Sequence, residues 1–163
     1  MSDFIITKLR SYRIRILLTA LFVSLSNQAV ADNKLPLIDA HSHYSKADTE
    51  NFSPKEIIEI LDANQVKKIL ITGTPNSGTD QLYNFAPERI IPFLSVYRTK
   101  ADKANWMHRN ETVVEAKQAL QSGIYQGIGE LHIFAKDKMS PVLQGLVELA
   151  QQHRLPILIH GDA

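Results

Sequence analysis

The chain has 163 residues, with 18 Lys and Arg side chains against 17 Asp and Glu, and it contains no cysteine. This length allows one domain with a sizeable core. The near-neutral charge offers no basic patch of the kind that binds nucleic acid, so we expect no nucleic-acid partner. Without cysteine there is no disulfide framework and no thiolate ligand, so any metal must be bound by imidazole and carboxylate groups.

The N-terminal segment has the pattern of a secretory signal peptide. Residues 1–15 carry four basic side chains, residues 16–25 form a weakly polar to apolar run, and Ala29-Val-Ala31 matches a cleavage site. The run is too short for a membrane span, which takes about 20 residues, so we expect no stable membrane anchor. The pattern predicts a signal peptide over residues 1–31, cleavage after Ala31, and a periplasmic or secreted protein of residues 32–163.

Immediately after this segment, residues 35–43 form a short apolar run that ends in His-Ser-His. Side chains alternate between the two faces of a strand, so His41 and His43 would share one face with Asp39. Two imidazoles on one face, at the C-terminal end of a strand, can reach the same divalent cation. The spacing therefore predicts a pair of metal ligands.

The elements that follow alternate between helices and strands. Ser53-Pro-Lys-Glu56 has the pattern of a capped helix start, and this helix should end near Asn64. The later strands are predicted over residues 67–73, 90–97, 127–133 and 155–160, and the later helices over residues 80–85, 111–122 and 139–153. We expect Pro92 at the beginning of its strand, where a missing N–H donor is tolerated. This alternation favours an α/β fold with a parallel sheet.

Two of these later strands also end in ligand-type residues. The segment Gly127-Ile-Gly-Glu-Leu-His132 presents Glu130, and the segment Leu155-Pro-Ile-Leu-Ile-His160 ends in His160. Gly127 and Gly129 would leave room beside Glu130 for substrate or metal. Three strands that each end in a ligand-type residue suggest a parallel barrel with a metal at its mouth.

Other polar residues near these strand ends are assigned weaker roles. His132 shares a face with Glu130 and is predicted to line the substrate pocket. Tyr97 and Arg98 lie at the end of the third strand, where they could face an anionic substrate or make structural contacts. We interpret His108 and His153 as ordinary surface or core histidines.

A family resemblance follows from these motifs. Ile38-Asp-Ala-His-Ser-His43 resembles the first-strand metal motif of the amidohydrolase superfamily, and residues 127–132 and 155–160 resemble its fourth and fifth strands. The resemblance implies a (β/α)8 TIM barrel with one or two divalent metals, usually zinc. It also implies a metal-dependent hydrolase that attacks an amide, ester, lactone or related bond of a small-molecule substrate. By motif position the metal ligands would be His41, His43, Glu130 and His160.

The chain departs from the family pattern after its fifth predicted strand. A (β/α)8 barrel takes about 250 residues, and the family's sixth-strand His and eighth-strand Asp have no counterpart before Ala163. The Asp is usually the general base, so we expect it beyond the chain end. The expected structure is a barrel truncated after about five strands. We expect it to be catalytically silent alone and to self-associate through its open sheet edge.

Two other interpretations stay open at the level of sequence. A PHP-type metal phosphoesterase shares the Asp-x-His-x-His motif that Asp39 to His43 would fit, although the fourth and fifth strands match the amidohydrolase pattern better. The second is a non-catalytic remnant or binding module that keeps part of the metal site. Neither the substrate nor the number of metals follows from the sequence, because one scaffold supports many chemistries through loop variation.

Overall fold

Five parallel strands form one sheet in the computed structural model, which describes residues 35–162. The strands lie in chain order, each parallel to its neighbour. The sheet curls as half of a barrel would. The prediction of an α/β fold with a parallel sheet is therefore confirmed. The predicted signal peptide lies outside the described residues, so its cleavage and the export of the chain stay predictions.

The strands and helices alternate as the sequence predicted, except that a short extra helix, Lys46–Thr49, lies in a segment predicted as a loop. The strands are β1 (Leu37–His43), β2 (Val66–Thr72), β3 (Ile90–Leu94), β4 (Gly127–Phe134) and β5 (Ile157–Asp162). The helices are α1 (Lys46–Thr49), α2 (Pro54–Ala63), α3 (Ser77–Phe85), α4 (Glu111–Leu120) and α5 (Pro141–His153). Short 3₁₀ turns lie at Lys100–Ala104, Trp106–His108 and Ala135–Asp137. Within this part of the chain, every helix is too short or too polar to cross a membrane.

Helix α2 begins with the capping box that its sequence predicted. The Ser53 hydroxyl accepts a hydrogen bond from the Glu56 backbone N–H at 3.3 Å, and the Glu56 carboxylate accepts one from the Ser53 N–H at 2.8 Å. The Ser53 backbone N–H and the Ser53 hydroxyl, which both donate to the Glu56 carboxylate, hold the pKa of Glu56 below its ordinary value. Pro54 occupies the first helical turn, where its missing N–H costs no hydrogen bond.

We expect Ser53→Ala to lower the free energy of unfolding by about 1 kcal/mol, because the Glu56 backbone N–H loses its acceptor and the Glu56 carboxylate loses the hydroxyl donor. The matched control is Lys55→Gln in the same helix, which removes an exposed ion pair with Glu59. That control should change the free energy by less than about 0.5 kcal/mol. Urea denaturation measures both variants, and equal losses would contradict the capping role of Ser53.

Two clusters of buried apolar side chains stabilise the sheet. The larger cluster joins β3 and β4 to α4 and α5, and it includes Leu94, Trp106, Ile128 and Leu146. The smaller cluster joins β2 and β3 to α2 and α3 around Ile71 and Leu82. The larger cluster holds β4 in place, and β4 carries the buried residue of the site described below.

Helix α4 presents a narrow buried face. Thr112, Ala116 and Leu120 are buried at four-residue intervals, whereas Val114 is 58% exposed. Residues four apart stack on one side of a helix, so a stripe through Thr112 and Ala116 leaves Val114 on the opposite side.

Pro92 lies in the middle of β3, a central strand, so the prediction that it begins the strand was wrong. Its carbonyl accepts a hydrogen bond from the Gln126 N–H at 2.8 Å, on the β4 side. In a parallel strand the N–H and C=O of one residue face the same neighbour. Because β4 pairs with β3 only from Phe93 onward, the missing N–H falls before that pairing begins.

Candidate metal centre

Strands β1, β4 and β5 bring one carboxylate and four imidazoles together at the C-terminal edge of the sheet, where Glu130 on β4 lies just beyond the end of β3. Glu130 Oε1 lies 2.9 Å from His160 Nδ1 and 3.5 Å from His41 Nε2. Glu130 Oε2 lies 3.3 Å from His132 Nε2 and 3.6 Å from His43 Nε2. The four residues predicted as ligands therefore meet at one place, together with His132.

These five side chains form two groups that could each hold a metal ion. His41, His43 and Glu130 make the first group, and Glu130, His132 and His160 make the second. In each group the ligand-type atoms lie within 4.8 Å of one another. Glu130 belongs to both groups, so its carboxylate is the centre of the arrangement.

Glu130 lies at the bottom of the cluster, and the imidazoles surround it nearer to solvent. Its side chain is 6% exposed, whereas that of His160 is 48% exposed. Burial would raise the pKa of Glu130, but the hydrogen bond with His160 and the nearby imidazoles of His41 and His132 outweigh it, so the pKa is lowered. The carboxylate is therefore ionised at neutral pH and offers a negative charge to a cation.

The protonation of His132 also suits a ligand. Burial lowers the pKa of this imidazole, and the nearby ammonium group of Lys103 lowers it further, against the opposing charge of Glu130. Metal ligation requires the neutral imidazole. At neutral pH His132 is thus in the form that can bind a cation.

The curvature of the sheet brings these residues together. Strands β1 and β4 are separated by β2 and β3, and three inter-strand spacings in a flat sheet amount to about 14 Å. The observed 3.5 Å between His41 and Glu130 is reached because the sheet curls and the side chains point toward its concave side. On β4 and β5, His132 and His160 are direct partners in register, and their rings stack with centroids 4.4 Å apart.

The end of β1 departs from simple alternation. The pairing with β2 shifts between Asp39 and Ser42, and the Ser42 hydroxyl donates a hydrogen bond to the Asp39 carboxylate. That carboxylate also accepts the His41 backbone N–H at 3.0 Å. Asp39 therefore shapes the backbone that carries the two histidines, and it belongs to neither metal group.

Gly127 and Gly129 do not provide the space for substrate or metal that the sequence suggested. A Cβ on Gly127 would lie 2.3 Å from the Phe93 ring, and one on Gly129 would lie 2.4 Å from the Leu158 carbonyl oxygen. The missing side chains instead allow close packing of β4 against β3 and β5. Gly129 has a φ of +135°, which side-chain-bearing residues rarely adopt.

Tyr97 lies beside the cluster and supports the β4 backbone. Its hydroxyl accepts a hydrogen bond from the His132 N–H at 2.8 Å, and the Trp106 indole N–H donates to the His132 carbonyl at 2.9 Å. Burial raises the pKa of Tyr97 to about 12, despite the hydrogen bond from His132, and the charge of Glu130 adds to the rise. Tyr97 is therefore a neutral phenol that holds His132 in position.

Arg98 makes structural contacts in this structure. Its Nε lies 3.1 Å from Asp102 Oδ2, and its backbone N–H donates to the same oxygen at 2.9 Å. It does not line the pocket beside Glu130 that the described residues form. A contact between Arg98 and substrate stays a prediction.

A pocket of about 410 Å³ opens beside the cluster. This volume falls in the range of small-molecule sites. His43, Tyr97 and Glu130 line it, and so do the hydroxyl residues Thr72, Thr74 and Ser95 and the lysines Lys100 and Lys103. The pocket thus gives a small molecule access to the cluster.

Comparison of the chain with models of protein families, with curated proteins and with solved structures finds no match. The amidohydrolase resemblance therefore depends on the motif residues themselves. Membership of that superfamily stays a prediction.

Sequence reasoning underestimated His132 and missed the two lysines. His132 follows Glu130 with the same period-two spacing as His41 and His43, so the signal was present. Thr72 and Ser95 also lie at or just after strand ends, where site residues are expected. Lys100 and Lys103 belong to a 3₁₀ turn after β3, and no local pattern predicts where such a turn packs.

Proposed function

We propose that this protein is a metal-dependent hydrolase of the amidohydrolase type, with a sheet that belongs to a barrel of the (β/α)8 type. The observation that supports this proposal is the buried, ionised carboxylate of Glu130 in contact with four imidazoles. Its position at the C-terminal ends of parallel strands is where barrel enzymes carry their active sites. The proposed ligands are His41, His43, Glu130 and His160, with His132 as an additional one.

Zinc is the cation that we propose for this centre. Imidazole and carboxylate groups are its usual ligands where thiolates are absent. Two groups that share Glu130 can accept one or two cations. When bound, a divalent cation polarises a carbonyl or phosphoryl oxygen and makes water more acidic.

The residues of the chain contribute binding and positioning. Glu130 supplies the negative charge that offsets the cation, and the Tyr97 hydroxyl and the Trp106 indole fix the backbone of His132. The pocket beside the cluster holds the substrate near the ligands. Asp39, which a PHP-type phosphoesterase would use in its first motif, is occupied with the backbone and hydroxyl of its own strand.

The proposal is tested by zinc titration and a hydrolysis screen. His41→Ala should weaken zinc binding by at least about tenfold, because a ligand of one group is lost. Affinity should fall as the pH decreases from about 7.5 to about 5.5, since protons compete for the imidazoles. The screen covers amides, esters, lactones and phosphoesters. It uses the protein purified from its natural source, before and after the metal is removed with a chelator.

His153→Ala is the matched control, because His153 is exposed at the end of α5. It should leave zinc affinity unchanged. Failure of the wild type to bind zinc would overturn the whole proposal. Since residues 32–163 alone are expected to be silent, the decisive sample is the protein purified from its natural source. Zinc binding without turnover in that sample would leave a metal-binding module and overturn the hydrolase assignment, whereas turnover of phosphoesters alone would favour the PHP-type alternative.

A further inference from the structure

Lys103 is a half-buried cation beside the candidate metal centre. Its Nζ lies 3.4 Å from His132 Nε2 and 5.9 Å from the centre of the Tyr97 ring. Within residues 35–161 it forms no ion pair with a carboxylate, unlike the exposed Lys55, which pairs with Glu59. A partly desolvated ammonium group with only an imidazole and a ring face as neighbours has capacity to bind an anion.

Metal binding would increase that capacity. His132 Nε2 faces both Glu130 Oε2 and Lys103 Nζ. The unprotonated nitrogen of a neutral imidazole has one lone pair. That lone pair can coordinate a cation or accept a hydrogen bond from the lysine, but not both. If His132 becomes a ligand, the ammonium group of Lys103 loses its nitrogen acceptor and needs another one.

The other side chains that line the pocket also favour an anionic ligand. Lys100, on the same 3₁₀ turn, also lines it. The Thr74 and Ser95 hydroxyls share one hydrogen bond at 3.4 Å, which leaves the hydrogen of the other hydroxyl able to be donated to an oxyanion. Asp48 lines the pocket too, but its carboxylate already accepts the Ser45 N–H at 2.8 Å. Once a bound cation offsets the negative charge of Glu130, the two positive charges of the lysines exceed the single negative charge of Asp48.

We infer that the substrate carries a negatively charged oxyacid group, a carboxylate or a phosphate, that Lys103 binds with support from Lys100. This inference rests on the proposed function, because it places the bond that is cleaved at the metal centre. The anionic group lies away from that bond, in the part of the pocket that the lysines line. Lys103 is accordingly a specificity residue of the site.

The test compares three probes that share a butyrate chain. In each probe the carboxylate of the butyrate binds the metal, and the group at the other end of the chain differs. Glutarate adds a second carboxylate, 4-phosphonobutyrate adds a phosphonate, and glutaramate adds a neutral amide of the same size. Calorimetry on the zinc-loaded protein gives their affinities. One or both doubly anionic probes should bind about tenfold more tightly than glutaramate, as expected for a charge-assisted hydrogen bond in a partly exposed site. The tighter of the two identifies the oxyacid.

Variants of the lysine complete the test. Lys103→Met should reduce the preference for the doubly anionic probes over glutaramate to about onefold to threefold. Lys103→Arg keeps the positive charge and should keep most of this preference. Lys117→Met is the matched control, because Lys117 is exposed on α4. Its preference should equal that of the wild type. Should Lys103→Met fail to fold, the wild-type preference must still weaken between low and high salt, since screening acts on charges.

Zinc affinity, measured in the same samples, separates the two possible failures. A wild type that binds no zinc overturns the proposed function and this inference with it. A wild type that binds zinc and all three probes equally overturns the inference alone. A preference that Lys103→Met leaves unchanged also overturns the role of Lys103.

Discussion

Glu130→Gln should lower zinc affinity by more than about 100-fold. The carboxylate of Glu130 is shared by both metal groups, so its loss weakens each of them. Removal of a residue that only orients a ligand typically costs about 10–100-fold, and loss of the shared ligand itself should exceed that range. The effect should also exceed that of His41→Ala, which leaves the group of Glu130, His132 and His160 complete. Competition with a chromogenic chelator measures these affinities.

The glutamine keeps the size of the glutamate side chain, so the fold should persist. Glu148→Gln is the matched control, since Glu148 is exposed on α5. Its zinc affinity should match that of the wild type. If Glu130→Gln bound zinc as tightly as Glu148→Gln, the cluster would not be the metal centre.

Gly129→Ala should lower the free energy of unfolding by about 2–6 kcal/mol. The added Cβ would lie 2.4 Å from the Leu158 carbonyl oxygen, on the backbone of β5. Overpacking of this kind costs about 1–3 kcal/mol, and the φ of +135° adds backbone strain of about 1–3 kcal/mol. Relief of the clash separates β4 from β5, so the contact between His160 and Glu130 should be lost and zinc affinity should fall. Urea denaturation and zinc titration measure the two effects.

Gly123→Ala is the matched control for backbone strain without a clash. Gly123 has a φ of +72°, but a Cβ there would meet nothing within 4 Å. It should therefore cost only about 1–2 kcal/mol and leave zinc affinity unchanged. If the two alanine variants were equally stable, the close approach of Gly129 to β5 would have no energetic importance.

Much of the fold could be predicted because it follows from interactions between chain neighbours. The capping box of Ser53 and Glu56 was recognisable, since its hydrogen bonds span only three residues. Strand–helix alternation implied a parallel sheet, because parallel strands need long connections. Where tertiary packing competes with local preference, the prediction was less accurate. Pro92 lies inside β3 because the neighbouring strand begins its pairing one residue later.

The sequence alone identified four of the five side chains that meet at the candidate metal centre. His41, His43, Glu130 and His160 each lie at or near the C-terminal end of a strand, and in a parallel sheet those ends share one edge. That argument uses only side-chain alternation and strand direction, which the backbone itself dictates. The tertiary structure alone decided the distances between them, because the curl of the sheet brings His41 within 3.5 Å of Glu130 across two intervening strands.

The tertiary structure also decided the surroundings of the cluster. Lys103 reaches His132 from a 3₁₀ turn after β3, 29 residues away in the chain, and Gly129 makes room for the β5 backbone rather than for a ligand. Both contacts join segments that are remote in sequence. They depend on how the buried side chains around Trp106 and Ile128 pack, and no local periodicity encodes that packing.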